Sequence, residues 1–360
     1  MTHTAELHTP ITAGEYESLI AYNGGQWEKD KKGKTRYHIR TLRGYGITDI
    51  QPRKHTAQYI YYYCSIIINL HRIAHERDHG IETYNNENDF VNLSTNFAKY
   101  ISAILPSHTD INSWNVFRID YNIDLKLSPN KVDQYIILLQ RGGKHYSWAA
   151  RENVKGNHIH PYGSVLYSNK SYSVNIYDKH RERLQDQAER GIIDLNELNE
   201  SSGVLRIEIQ VKRAKINALK KHIKADFDSA TAPIMHFARY SVAVPLILKV
   251  LSEICGTTDY TTLCNALKRL KSVLRPSRAL VDTELFLRLV GRFRSLWKAA
   301  EAYNGETSIK TIMKHLDALN INPVTIPTAF KVSHLDNLIH LVTEQFSKQI
   351  EEQTKGDISL

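Results

Sequence analysis

The chain has 360 residues, of which 42% are hydrophobic and 24% are charged, the balance of a folded globular protein. No stretch approaches the roughly 20 apolar residues of a membrane span, and no secretory signal opens the chain, so we expect a cytoplasmic protein without membrane contact. The 47 Lys and Arg residues exceed the 38 Asp and Glu residues, and the net charge of +9 favours a polyanionic partner such as nucleic acid.

The first half of the chain predicts strands with a few helices between them. Residues 59–70 read YIYYYCSIIINL, and such β-branched and aromatic runs are typical of strands. Asp89 is a candidate cap for a helix that ends before Pro106. The three cysteines, which are too few and scattered for a disulfide scaffold, predict packing roles.

Residues 115–125 predict a strand with one polar face. By simple alternation Val116, Arg118 and Asp120 share the polar side, and Phe117 falls on the apolar side with Ile119. Further strands and helices follow in the chain. We predict a helix over residues 128–140, strands near 146–150, 164–167, 171–179 and 204–213, a charged helix after the third of these strands and a basic helix after the fourth.

From about residue 226 the apolar pattern becomes helical. The predicted helical segments are residues 243–254, 261–273, 283–303, 308–319 and 334–350. The segment 308–319 follows a turn and precedes Pro323, a spacing that fits either a DNA-reading helix-turn-helix or plain helix packing. We therefore predict an α+β protein: residues 1–225 form a mostly antiparallel sheet with covering helices, and residues 226–360 form an all-helical domain that assists DNA or host-protein binding.

Three predicted strands carry ionisable groups where strands rarely hold them. Asp120 lies within one strand, Tyr177 and Lys179 at the end of a second, and Glu208 within a third. A buried carboxylate in a strand needs a partner or a metal. One interpretation is that the acids pair with the neighbouring Arg118 and Arg206, and the other is that the groups form a catalytic site.

The succession FRID, IYDKHRE and RIE followed by a basic helix resembles the gene II type replication initiators of filamentous phages and the related rolling-circle plasmid initiators. The likeness covers about residues 116–224 and extends more loosely into the helical half. It implies a Rep-endonuclease fold and a site-specific enzyme that nicks one DNA strand and holds the 5′ phosphate on a tyrosine. The matching residues are Tyr177 as nucleophile, Lys179 beside it, and Asp120 and Glu208 as ligands of Mg²⁺ or Mn²⁺.

This chemistry has physical requirements that these residue types meet. A tyrosine hydroxyl has a pKa near 10 and needs help to lose its proton, and the attacked phosphodiester needs its charge neutralised. Carboxylate-bound Mg²⁺ or Mn²⁺ meets the second need. We expect double-stranded and single-stranded DNA at a replication origin as the partner, together with a host helicase and polymerase. The predicted DNA contacts are Arg118, Arg206, Lys212, Arg213, Lys215, Lys220 and Lys221.

Two histidine patterns offer alternatives. His158 and His160 form a His-hydrophobic-His triplet that could bind the metal with the carboxylates or instead of them, although Gly156 and Pro161 favour a loop there. His75 begins HERDH, which matches the zinc-protease pattern, but its charged middle positions favour a solvated turn. The remaining alternative is a non-catalytic DNA-binding replication or repressor protein that uses the same basic surfaces.

Overall fold

The structure is a computed structural model that describes residues 2–30, 33–56, 59–75, 87–142, 149–150, 163–191, 193–223, 234–273 and 276–356. The strands are β1 (Thr2–Ile11), β2 (Gly25–Lys29), β3 (Thr35–Ile39), β4 (Ile47–His55), β5 (Tyr61–Asn69), β6 (Asn115–Lys126), β7 (Ala149–Ala150), β8 (Ser164–Ser168), β9 (Tyr172–Asp178), β10 (Val204–Val211), β11 (Tyr260–Thr261) and β12 (His334–Leu335).

The helices of the described residues alternate with these strands and then dominate the end of the chain. They are α1 (Ala13–Ile20), α2 (Leu70–His75), α3 (Glu87–Ile101), α4 (Pro129–Arg141), α5 (Lys179–Arg190), α6 (Leu195–Ser201), α7 (Arg213–Ile223), α8 (Ile234–Ala238), α9 (Tyr240–Cys255), α10 (Leu263–Val273), α11 (Arg278–Phe293), α12 (Leu296–Ala302), α13 (Ile309–Ala318) and α14 (Leu338–Gly356). Short 3₁₀ turns occupy Arg43–Tyr45, Pro106–His108, Ile111–Ser113 and Thr328–Phe330.

The chain divides into two compact units. Unit 1 contains residues 1–122, 170–174 and 208–245, and unit 2 contains residues 123–169, 175–207 and 246–360. The predicted boundary after residue 225 does not coincide with this division, because β6, β9 and β10 each contribute residues to both units.

Unit 1 is an antiparallel sheet with helices. Its strands follow the order β2, β3, β4, β5, β1, β6, β10 and β9, and the registers given for β2 through β6 are all antiparallel. Strand β1, which the sequence analysis did not predict, lies between β5 and β6. Its Ala5 and Leu7 are fully buried while Thr4, Glu6 and His8 on the other side are partly exposed, so strict alternation separates a core face from a polar face.

The core of unit 1 forms where the apolar sheet face meets helices. Ile66 and Ile68 of β5 are fully buried, as are Ile73 of α2 and Phe97 of α3. Trp114 packs edge-on against Phe97 and donates its indole N–H to the carbonyl oxygen of His108 at 3.0 Å. Burying this much apolar surface stabilises the sheet and leaves its other face for polar side chains.

Unit 2 combines the ends of the shared strands with most of the helices. Its strands follow the order β6, β10, β9, β8 and β7, and β7 pairs antiparallel with β8. Helix α4 packs near β8, where the Tyr167 hydroxyl donates to the carbonyl oxygen of Leu139 at 2.5 Å. The helices predicted over residues 128–140, 243–254, 261–273 and 308–319 are present with slightly different ends.

The last third of the chain departs from the all-helical prediction in two details. Strands β11 and β12 form a two-stranded antiparallel sheet, so this region is mostly helical but also contains strands. The helix predicted over residues 283–303 is two helices, because Arg294 adopts a left-handed conformation with φ of 52° and Ser295 caps α12 through the Lys298 backbone N–H. Helices α10 to α13 share one buried cluster, of which Phe286, Leu287, Ile312 and Leu316 are fully buried members.

Candidate active site

Two carboxylates of unit 1 lie beside one arginine on the polar face of the sheet, and a third acidic residue lies near one of them. In the pairing of β1 with β6, Glu6 is opposite Arg118 and Thr4 is opposite Asp120. The Arg118 guanidinium approaches Asp120 Oδ2 at 3.2 Å and Glu6 Oε2 at 3.9 Å. Glu208 of β10 is close enough for its negative charge to act on Asp120. The single positive charge of Arg118 is therefore shared by Asp120 and Glu6.

Arg118 Nε is buried without a hydrogen-bond partner, and so is one oxygen of Asp120, whose carboxyl also has a shifted pKa. Burial raises the pKa of the Asp120 carboxyl to about 6, although Arg118 and a hydrogen bond from Gln210 favour the charged form, and the charges of Glu208 and Glu6 add to the increase. Its Oδ1 atom is buried and has no hydrogen-bond partner. A buried carboxylate oxygen without a donor is costly in a folded protein, and a bound cation is one way to satisfy it.

A β-bulge in β6 sets the direction of these side chains. The register with β1 shifts between Glu6 and Leu7, which leaves Phe117 as the extra residue of β6. The prediction that Val116 shares the polar face and Phe117 the apolar face was therefore wrong. Val116 is 3% exposed, whereas Phe117 stacks on His8 with ring centroids 4.1 Å apart. Beyond the bulge, Arg118 and Asp120 keep the polar orientation that alternation predicted.

The second arginine motif behaves differently from the first. Arg206 of β10 forms a two-pronged ion pair with Asp124 of β6, both within unit 2, and the two side chains are only 9% and 7% exposed. We predicted that Arg206 contacts DNA, but burial and this pairing oppose that role. The expectation that the strand acids pair with arginines holds for Asp120 with Arg118, whereas the acid that Arg206 binds is Asp124.

Tyr177 and Lys179 lie where β9 ends and α5 begins, within unit 2. Asp178 caps this helix, and its carboxylate accepts the backbone N–H groups of His180 and Arg181. The cap fixes the neighbouring residues on both sides. Tyr177 is 7% exposed, and the Lys179 ammonium lies 5.9 Å from the centroid of its ring.

The Lys179 ammonium also has a direct partner in the helix. It donates to Glu182 Oε2 at 2.7 Å. Burial lowers the pKa of Lys179, the nearby charge of Arg206 lowers it further, and Glu182 opposes the change. A positive charge close to a phenol ring favours the negative charge that develops when a tyrosine loses its proton.

The predicted catalytic residues are thus divided between the two units. Asp120 and Glu208 belong to unit 1, and Tyr177 and Lys179 belong to unit 2. The convergence of all four on one phosphate stays a prediction.

The predicted basic helix exists as α7 in unit 1. Lys220 donates to the side-chain oxygen of Asn115 at 2.9 Å, and the Arg213 guanidinium lies 4.9 Å from the Phe117 ring centroid, so the helix packs over the start of β6. Lys212 opens the helix, Lys215 is partly exposed and Lys221 is exposed. These basic residues therefore stand beside the strand that carries Asp120.

The two histidine patterns fall largely outside the described residues. His158 and His160 lie in the range 151–162, which the structure does not describe. Of HERDH, only His75 is described. It ends α2 and pairs with Asp89 at 3.2 Å, and its ring contacts that of His71 at 4.7 Å.

A cluster that sequence reasoning missed lies in unit 2. Among the described residues, one group of three possible metal ligands has its ligand atoms within 4.8 Å of one another. It consists of Asp259, His334 and Asp336. The exposed His334 contacts both carboxylates, at 3.6 Å and 3.2 Å, and His340 contacts Asp259 at 3.0 Å. Exposed groups paired in this way are common without an ion. Their separation in sequence gave no signal.

Glu6 was also missed, because the first strand was not recognised, although its alternating polar and apolar residues could have revealed it. Within the described ranges, no helix has the length and apolar character that a membrane span requires. Comparison of the chain with protein-family models, with curated proteins and with solved structures gave no match.

Proposed function

We propose that this protein nicks and rejoins one strand of DNA at a replication origin, with Tyr177 as the nucleophile, as its resemblance to the gene II type initiators implies. The observation that carries the proposal is the cluster of Glu6, Asp120 and Glu208, in which a buried Asp120 oxygen has no hydrogen-bond partner. Like charges gathered on a strand face are costly unless a cation compensates them.

In this proposal Asp120 and Glu208 would hold a divalent cation, and Glu6 would add to the negative potential around it, although the ligand atoms of the three acids are not gathered within 4.8 Å of one another. The fit rests on the unpartnered Oδ1 of Asp120 and on the oxygen-rich donor set that Mg²⁺ and Mn²⁺ prefer. When bound, the cation would neutralise the charge of the attacked phosphodiester. Arg118 would stay at the edge of this group, since it already compensates Asp120 and Glu6.

Tyr177 would form the covalent bond in this proposal. Its phenolic oxygen bonds to phosphorus, the bond from phosphorus to the 3′ oxygen breaks, and that oxygen takes a proton from solvent. The proton of the phenol passes to solvent, and the Lys179 ammonium, which lies 5.9 Å from the ring centroid, would stabilise the negative charge that develops on the phenol oxygen. Rejoining reverses these steps. The phosphotyrosine bond conserves the energy of the broken one, which accords with a sequence that has no GxxxxGK[ST] motif for ATP.

The experiment uses supercoiled plasmid or phage DNA incubated with the protein and Mg²⁺ or Mn²⁺. The expected products are open circles that carry covalently attached protein. Tyr177→Phe should remove both products while DNA binding is retained. Tyr172→Phe is the matched control, because this buried tyrosine lies on the same strand and should leave nicking intact. Covalent protein that persists in Tyr177→Phe contradicts the assignment.

The second candidate function is a non-catalytic DNA-binding replication or repressor protein. The low exposure of Tyr177 and the pairing of Lys179 with Glu182 favour it, because a nucleophile needs access to its substrate. In the same experiment a non-catalytic protein would slow the migration of DNA on a gel. It would give neither open circles nor covalent protein–DNA adducts, whether Mg²⁺ or Mn²⁺ is present. Either function would operate in the bacterial cytoplasm with the host helicase and polymerase.

A further inference from the structure

The end of unit 1 where β4 leads to β5 exposes an unusual set of side chains. Tyr59, Ile60 and Tyr61 are 81%, 64% and 50% exposed, and His55 and Lys54 are exposed beside them. We call these five residues the hairpin tip. Three consecutive large apolar side chains in water carry a free-energy cost that a binding role would explain.

The hairpin tip begins a row of aromatic rings across the polar sheet face. His55 is opposite Tyr61 in the register, and their rings stack at 4.7 Å with an angle of 19°. Tyr63 follows at 5.9 Å from Tyr61, and His8 of β1 follows at 5.2 Å from Tyr63. The rings hold one another in place, so little side-chain freedom remains to be lost on binding.

The row ends beside the carboxylate cluster. His8 stacks on Phe117 at 4.1 Å, and the Arg213 guanidinium covers Phe117 at 4.9 Å. Phe117 directly precedes Arg118, which binds Asp120 at 3.2 Å. The row therefore leads from the hairpin tip to the proposed cation site within one unit.

The charge of the hairpin tip is of one sign. Residues 53–63 read RKHTAQYIYYY and contain no acidic residue. The Lys54 ammonium lies over the Tyr62 ring at 5.6 Å, and the Nε of Arg53 is buried without a hydrogen-bond partner. Lys54 and Tyr62 alternate with His55, Tyr61 and Tyr63 along the two strands, so the Lys54 ammonium lies on the other face of the sheet at the end of the hairpin. Exposed rings with a cation nearby are suited to a single strand, which offers bases for stacking and phosphates for ion pairing.

We propose that the hairpin tip is a stacking site for single-stranded DNA, which it directs along the ring row toward Asp120. A single strand fits better than a duplex, because duplex bases are already stacked on each other and offer no free faces. This inference deepens the proposed function, since it assigns the surface that would hold the strand before it is cut.

The test measures binding of a fluorescent oligothymidine to the full chain by anisotropy, in EDTA so that no cleavage occurs. Tyr59→Ala and Tyr61→Ala should each weaken binding by roughly five- to a hundredfold, the range for loss of one stacked base. Tyr61→Phe should restore most of the affinity. Lys54→Gln should reduce the slope of log affinity against log salt by about one phosphate contact.

Trp27→Ala is the matched control, because this residue of β2 is 56% exposed and packs on Tyr37, outside the ring row. It should bind the strand as the parent protein does. Unchanged affinity in both tyrosine variants overturns the inference, and so does tighter binding of duplex than of single strand. A dimer that these variants abolish without any effect on strand affinity would also overturn it, by assigning the surface to a second copy.

The outcome is separable from that of the nicking experiment. Tyr177→Phe should bind the oligonucleotide normally in EDTA. If tip variants bind normally and Tyr177→Phe loses the adduct, the nicking proposal stands and the stacking site is wrong. If tip variants lose binding and no protein forms an adduct with any metal, the stacking site stands on a non-catalytic DNA-binding protein.

Discussion

Two acid–arginine pairs, one in each unit, differ in how completely the acid is neutralised. In unit 2, Asp124 receives two hydrogen bonds from the buried guanidinium of Arg206. In unit 1, Asp120 shares Arg118 with Glu6, one of its oxygens has no hydrogen-bond partner, and Glu208 adds repulsion. A fully hydrogen-bonded pair such as Arg206–Asp124 is typical of a structural role. An acid with an unpartnered oxygen, such as Asp120, is typical of a site that binds a ligand or a cation.

The largest expected effect comes from breaking the complete pair. Arg206→Met should lower the free energy of unfolding by about 3 to 5 kcal/mol, because the Asp124 carboxylate would stay buried without its partner. Asp124→Leu should cost a similar amount. The double variant, which removes both charges, should lie close to the parent protein in urea denaturation. A double variant as unstable as the sum of the two single variants contradicts the interpretation of a coupled buried pair.

Asp120→Asn should raise the free energy of unfolding, whereas the single variants of the Arg206–Asp124 pair lower it. Since burial raises the pKa of Asp120 to about 6 in the folded protein, the charged form is disfavoured by folding, and stability is lost as pH rises through that value. The variant should match the parent near pH 3 and exceed it by about 2 to 3 kcal/mol near pH 8, from a shift of roughly two pKa units. Chemical denaturation at several pH values measures this difference.

Asp124→Asn is the control for that experiment, because it makes the same change in the complete pair. It should destabilise the protein near neutral pH, where Arg206 needs a charged partner. If both asparagine variants change stability in the same direction, the two regions do not differ as proposed.

The strands that carry these pairs could be predicted, but the pairs themselves could not. Alternation placed β6 and β10 within two residues of their ends, and it correctly gave Asp120 a polar face. The partner of Arg206 is 82 residues away in sequence, on a strand whose neighbours depend on the whole topology. The pattern of neighbouring residues in the sequence cannot predict a contact between residues so far apart in the chain.

Other parts of the site escaped prediction for related reasons. The bulge at Phe117 breaks the two-residue period on which the prediction relied, so the side chain that joins the ring row was assigned to the core. Glu6 was overlooked with its strand, which contains Ala, Glu and Pro, residues that are depleted in strands. The boundary after residue 225 followed a change in composition, whereas the compact units follow strands that return to the sheet.

Divalent cations should stabilise the incomplete cluster by a smaller amount. At about ten times its dissociation constant, Mg²⁺ or Mn²⁺ should add roughly 1.4 kcal/mol to the free energy of unfolding near pH 8. Asp120→Asn and Glu208→Gln should each abolish this gain. Asp259→Asn should preserve it, which distinguishes the proposed site from the exposed cluster of Asp259, His334 and Asp336. A gain that disappears only in Asp259→Asn assigns the cation to unit 2.

The smallest expected effect concerns Lys179. Its ammonium has one charged partner, Glu182, which is more exposed than the partners in the Arg206–Asp124 pair. Its partner Glu182 is 44% exposed, so Glu182→Gln should cost less than about 1 kcal/mol near neutral pH. Burial already lowers the pKa of Lys179, and removal of Glu182 should lower it further. The ion pair needs the charged amine, so the cost should vanish as pH rises through the pKa of Lys179 in the folded protein, which lies below the pKa of an unfolded lysine, near 10.4. Denaturation near pH 7 and pH 11 measures this trend. A cost that persists in alkali would mean that Glu182 stabilises α5 through a contact other than its ion pair with Lys179.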